Sequence, residues 1–140
     1  MNEILAEHEV TTQRIRQLFE SAFLPIEIDE DGDLVVRDEG INTFVMLDDD
    51  KKLISFFTMW RFREGVGEAD RTAFCNDLND DLILVRFSTR AIPRPRLICD
   101  YQFLYEGGIL PHQVIYAYRT FHRVCAGAIR RDKDDLIDGD

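Results

Sequence analysis

The stretch from Leu97 to Ile129 constrains the fold most. An alternating strand, LICDYQFLY, runs through Glu106-Gly107-Gly108 into an amphipathic helix that begins near Pro111. Successive strand side chains point to opposite faces, so Leu97, Cys99, Tyr101, Phe103 and Tyr105 share one face, against Asp100 and Gln102 on the other. In the helix, Val114, Tyr118, Phe121, Cys125 and Ala128 form one apolar stripe, with Ile115, His122 and Ile129 beside it. A sheet face and a helix stripe that are both apolar bury each other, so this unit predicts a helix packed on a sheet.

The rest of the chain supplies more of both layers. Thr11-Thr12 can cap a helix whose Ile15, Leu18, Phe19, Ala22 and Phe23 recur at helical spacing and which Pro25 ends. The acidic segment before it either extends this helix or frays. From Ile26 to Phe62 short β-rich runs alternate with acidic turns, predicting three or four strands: Ile26 to Ile28, Leu34 to Arg37, Thr43 to Leu47 and Leu53 to Phe62. The last of these, LISFFTMWRF, is apolar on both sides and therefore reads as a central strand. Gly65 and Gly67 break it, and Glu68 or Asp70 opens a second helix carrying Ala69, Ala73, Phe74 and Leu78. Asn79-Asp80-Asp81 stops that helix before a strand from Leu82 to Thr89, which a proline-broken loop joins to the strand at Leu97.

These elements predict an α+β fold: an antiparallel sheet of five or six strands with helices packed on it, in the order α-β-β-β-α-β-β-α. Residues 1–131 read as one domain and 132–140, DKDDLIDGD, as an acidic flexible tail. At 140 residues with 45% hydrophobic content the chain can bury an ordinary core, so neither disulfide nor metal is needed to hold it.

Charge narrows the choice of partner. A net charge of −10 repels phosphate backbones and anionic lipid, which argues against nucleic acid and membrane. Cys75, Cys99 and Cys125 are odd in number and widely spaced, so they read as small buried thiols in a reducing cytoplasm. The N-terminal MNEILAEHEV lacks a basic region and a long apolar run, so no signal peptide is visible. No apolar run approaches the roughly 18 residues that span a bilayer.

Motifs that would carry chemistry are incomplete. Gly65-Val66-Gly67-Glu68-Ala69-Asp70 has Asp70 at the third glycine position, and Glu68 and Asp70 would oppose a pyrophosphate at the helix start. A turn and helix cap explains it. Asp29, Asp31 and Asp33 imitate the start of a calcium loop, but Gly32 falls at the fourth position and Ile41 at the twelfth, which leaves a hairpin turn. Asp48-Asp49-Asp50 lacks the ligand number for a tight cation site. His112 and His122 lie about 15 Å apart along one helix and about 80° apart around it, so they cannot share a metal. Ser21, Ser55 and Ser88 lie in no nucleophile elbow. No catalytic residue, cofactor or metal site is expected.

Two features stand out as candidates for recognition. Arg86, Arg90, Arg94 and Arg96 gather around the hairpin loop of an otherwise acidic chain, and would suit an acidic peptide or the acidic surface of a second subunit. Phe56, Phe57, Trp60, Phe62, Tyr101 and Phe103 make part of the sheet a candidate partner surface.

The segments LFESAFLPIEIDEDGDL, NDLNDDLILVRF, DYQFLYEGGI and AYRTFHRV, in this element order, resemble the YbjN family of bacterial proteins. The resemblance covers most of the chain. It rests most specifically on the strand, Gly-Gly and helix of residues 101 to 121 and on Asn76-Asp77-Leu78-Asn79. It implies the fold of type III secretion chaperones and a role in regulating sensory transduction, and it offers no catalytic residues.

Residues and resemblance together point to a non-enzymatic, chaperone-like or regulatory module of the cytoplasm that binds a protein or peptide partner, and a homodimer fits. The predicted partner surface is Trp60 with Phe62, aided by Arg94 and Arg96. The alternative is a small-molecule sensor whose pocket between the C-terminal helix and the sheet is lined by Tyr101, Tyr118 and His122.

Overall fold

The computed structural model describes residues 3–138. Helix α1 (Thr12–Ser21) precedes four strands, β1 (Ile26–Ile28), β2 (Leu34–Asp38), β3 (Ile41–Asp48) and β4 (Leu53–Arg61). Helix α2 (Glu68–Asp81), strands β5 (Arg86–Arg90) and β6 (Arg96–Leu104) and helix α3 (Pro111–Arg130) complete the chain. The strands form one six-stranded sheet in the order β1-β2-β3-β4-β6-β5. The meander thus holds four strands, and β4 is central, as its two-sided apolar pattern predicts.

The chain divides into two compact units, one built from the described residues up to Phe56 with Gln102–Thr120, the other from Phe57–Tyr101 with the described residues from Phe121 onward. In the first unit, Thr11 caps α1 by accepting the Arg14 amide at 3.1 Å. Ile15 and Phe19 are buried, and the Phe19 ring meets Tyr118 edge-on at 5.3 Å and Phe56 at 6.3 Å. Phe23, expected on the buried stripe, is instead 96% exposed. The helix has already ended at Ser21, and a positive φ of 61° at Phe23 turns the side chain off the stripe.

Among the described residues, the acidic N-terminal segment neither extends α1 nor frays, and its first two positions lie outside them. Leu5 and Ile109 exchange both backbone hydrogen bonds, at 2.8 and 2.9 Å, and Glu7 accepts the Gly107 amide at 3.1 Å. That pairing explains the second glycine of the Gly107-Gly108 turn. A Cβ on Gly108 would lie 2.8 Å from the Leu5 carbonyl oxygen, and its φ of 107° excludes most side chains in any case.

In the second unit, β5 pairs with β6 so that Phe87 faces Cys99 and Thr89 faces Leu97. Phe87, Leu97 and Cys99 are buried, and so are Phe121, Cys125 and Ala128 of α3 and Phe74, Cys75 and Leu78 of α2. Strand β5 begins at Arg86 and not at the predicted Leu82, because Leu84 takes a φ of 67° and Val85 bonds back to Ile83. Ile83 and Leu84 are exposed. Asn79 supplies to this edge strand what a further strand would: its carboxamide donates to the Phe87 carbonyl at 2.8 Å and accepts the Phe87 amide at 2.9 Å.

Residues 132–138 are not the flexible tail that their charge suggests. The Asp132 carboxylate accepts the Leu136 and Ile137 amides, both at 2.8 Å, Arg63 donates to Leu136, and Ile137 is buried in a bridge to Phe62. Two apolar residues among the acids tie this segment down. The last two positions of the expected tail lie outside the described residues.

Candidate partner-binding site

The motifs that imitate catalytic or metal sites are occupied by turn chemistry. Asp29 accepts the Asp31 and Asp33 amides at 2.9 Å each, and Asp48 accepts those of Asp50 and Lys51. Asp49 accepts the Tyr105 hydroxyl at 3.0 Å, and burial, then this bond, push the Tyr105 pKa up to about 12. Gly67 sits at the N-cap of α2. His112 is exposed with its ring 5.6 Å from that of Tyr116, and His122 is half-buried. Burial, with the neighbouring Cys125 thiol second, raises the Cys99 pKa well above the ordinary thiol value. Burial likewise pushes Cys75 up to about 11, so neither thiol is a ready nucleophile.

The predicted partner residues separate. Phe62 is only 6% exposed and meets Phe74 of α2 edge-on at 6.4 Å, so its ring belongs to the core and only its edge reaches a neighbouring cleft. Trp60 is half-buried, on the same side of β4 as Ile54 and Phe56. Arg94 is exposed in the loop after β5, and Arg96 is half-exposed at the start of β6. Of the residues expected to line a ligand pocket, Tyr101 and His122 are half-buried. Tyr118 is fully buried, with its ring 5.3 Å from Phe19 and 6.0 Å from Phe56 and its hydroxyl donating to Asp38.

The opposite face of the second unit is different. Here Arg86, Ser88 and Arg90 of β5 stand across from Asp100, Ile98 and Arg96 of β6. On β4 the outward positions are Phe57, Met59 and Arg61, of which Met59 is 42% exposed. Beyond the paired segments the Phe62 amide donates to the Pro95 carbonyl at 3.1 Å, which in an antiparallel ladder sets Arg61 against Arg96 and Met59 against Ile98. Arg61, Arg96 and Arg90 therefore form a row across three adjacent strands.

Arg86 is neutralised within this face by a bidentate pair with Asp100, at 2.9 and 2.5 Å. The guanidinium groups of Arg61, Arg90, Arg94 and Arg96 have no such partner among the described residues, and the Arg96 Nε is buried and unsatisfied. Arg61 and Arg94 also line a cleft of about 440 Å³ with Phe62, Val66 and Pro95 at the end of the row. Arg90, Arg94 and Arg96 are visible in the sequence as a basic cluster. Arg61 is not, because only the β4–β6 register brings it there.

The YbjN profile, described as "Putative bacterial sensory transduction regulator", matches residues 11–132. The chain belongs to the YbjN family. A solved structure described as "Crystal structure of YbjN, a putative transcription regulator from E. coli" is similar in fold, with a TM-score of 0.78 at 15% identity over 92% of this chain and 96% of that one. No curated protein matches the chain. The family description makes this chain a regulatory module, and no helix among its described residues is long and apolar enough to cross a membrane.

Proposed function

We propose that this YbjN-family chain is a non-enzymatic regulatory module of the cytoplasm that works by reversible binding of a protein partner through the outer sheet face of its second unit. The observation that carries this reading is the contrast between the two faces of the β4–β6–β5 segment. The inner face is filled by Phe87, Leu97, Cys99 and the helices packed on it, whereas Met59, Ile98, Arg61, Arg90 and Arg96 stand outward. Exposed Met59 and half-buried Ile98 interleaved with arginine match the composition of protein interfaces. Arg94 and Arg96 of the predicted surface stay in the proposal, and Met59 with Ile98 takes the place of Trp60 with Phe62.

The charge of −10 supports a protein over nucleic acid or membrane as partner. Three buried free thiols suit a reducing compartment. Site-specific photo-crosslinking in the native cell tests the surface. A crosslinker at position 59 is expected to give a discrete adduct that one at position 123, exposed on α3, does not give. No adduct from position 59, or the same adduct from both, contradicts the proposal. An adduct of twice the chain mass identifies the partner as a second copy.

A further inference from the structure

We infer that the row of Arg61, Arg96 and Arg90 is a docking site for an extended acidic segment of a partner protein, with carboxylates on the guanidinium groups and apolar side chains on Met59 and Ile98. This rests on the outer face being the working surface and adds the chemistry of what it takes.

Like charges directly opposite in neighbouring strands are destabilising, and here two such pairs adjoin, Arg90 with Arg96 and Arg96 with Arg61. The chain has 27 acidic residues from which counter-charges could be drawn, and it places one, Asp100, against Arg86 on this face. Among the described residues no acid forms an ion pair with the row, although Glu64 and Asp138 line the cleft at its end, and the buried Nε of Arg96 has no acceptor there.

The geometry favours a peptide. Neighbouring strands lie about 4.8 Å apart, so the row extends about 10 Å. Alternate side chains of an extended chain lie about 7 Å apart, which lets two carboxylates bridge three guanidinium groups while the residues between them face away. Immediately along β4 and β6, Met59 and Ile98 offer the apolar contact that a free small anion could not use. Arginine's planar fork suits carboxylate pairing of this kind.

The test uses the full chain and a fluorescent peptide that alternates glutamate with leucine, followed by anisotropy. The expected result is saturable binding that weakens on adding salt, is lost when glutamine replaces glutamate in the peptide, and falls tenfold or more in Arg96→Gln and in Arg61→Gln. Arg86→Gln, which removes an already paired arginine, is expected to change affinity less than threefold. Circular dichroism of each variant shows that it is folded. Equal binding of the glutamine peptide, unchanged affinity in folded Arg96→Gln, or tighter binding of a single-stranded oligonucleotide of equal charge overturns the inference. The photo-crosslink from position 59 reads separately. If it persists while the peptide result fails, the outer face is the working surface and its partner is not acidic.

Discussion

Two cross-strand pairs stand four residues apart on the same face of the β5–β6 ladder, and they are built oppositely. Arg86 meets Asp100 in a bidentate ion pair, while Arg90 meets Arg96. Both are near the surface and both were open to the same substitutions, so strand propensity does not distinguish them. The matched pair contributes what exposed ion pairs usually do, up to about 1 kcal/mol. The unmatched pair works against the hairpin it sits in, and Arg61 on the next strand adds to the same repulsion. Under the proposed function, the cost of this pairing is offset when a partner protein docks on the row.

The largest expected effects separate the two faces of β6 at adjacent residues. Leu97 is fully buried and Ile98 faces outward. Leu97→Ala is expected to cost about 2–5 kcal/mol by urea denaturation, and Ile98→Thr less than about 1 kcal/mol. Equal losses would mean that the outer face is core and not surface. Next comes the clamp on the edge strand. Asn79→Ala leaves both Phe87 backbone groups without their side-chain partner and is expected to cost about 1–3 kcal/mol, read from the same denaturation curves. A neutral result would mean that water replaces the carboxamide freely and that β5 needs no protection.

A pH series sharpens the contrast between buried and outward groups. The folded Tyr105 hydroxyl holds its proton to about 12 against an ordinary value of 10.0, and Cys75 to about 11 against 9.0. Both pKa values are raised by folding, so the stability these groups contribute is fully present below the unfolded values. It is lost as pH rises through roughly 9 to 12. The urea midpoint is expected to fall across that range, and less steeply in Tyr105→Phe. A midpoint that stays flat between pH 9 and 12 contradicts the assignment.

Much of this was legible in the residues. The α3 stripe of Val114, Tyr118, Phe121, Cys125 and Ala128 is buried throughout, because a long helix with a regular period leaves little choice of face. Leu82 to Val85 misled because an apolar run reads as strand, and nothing local announces the left-handed turn at Leu84. Phe23 misled because the helical period was carried past the point where the helix stops. The C-terminal acids masked Leu136 and Ile137, which Asp132 holds locally but whose pairing with Arg63 and Phe62 depends on contacts some 70 residues apart. The same reason divides the site. Arg90, Arg94 and Arg96 are neighbours in sequence, but Arg61 joins them only through strand register, and Phe62 beside it is turned inward and lost to the surface.

The smallest expected change in stability carries the most weight. In Arg90→Glu the like-charged pair with Arg96 becomes a matched one, as at Arg86 and Asp100. Stability by urea denaturation and affinity for the glutamate–leucine peptide are measured on the same preparation. The expected result is a gain of about 0.2–1 kcal/mol together with at least a tenfold loss of affinity, as the proposed role of the row as a partner's docking site requires. A variant that is less stable than the parent, or one that binds the peptide as tightly, would contradict it.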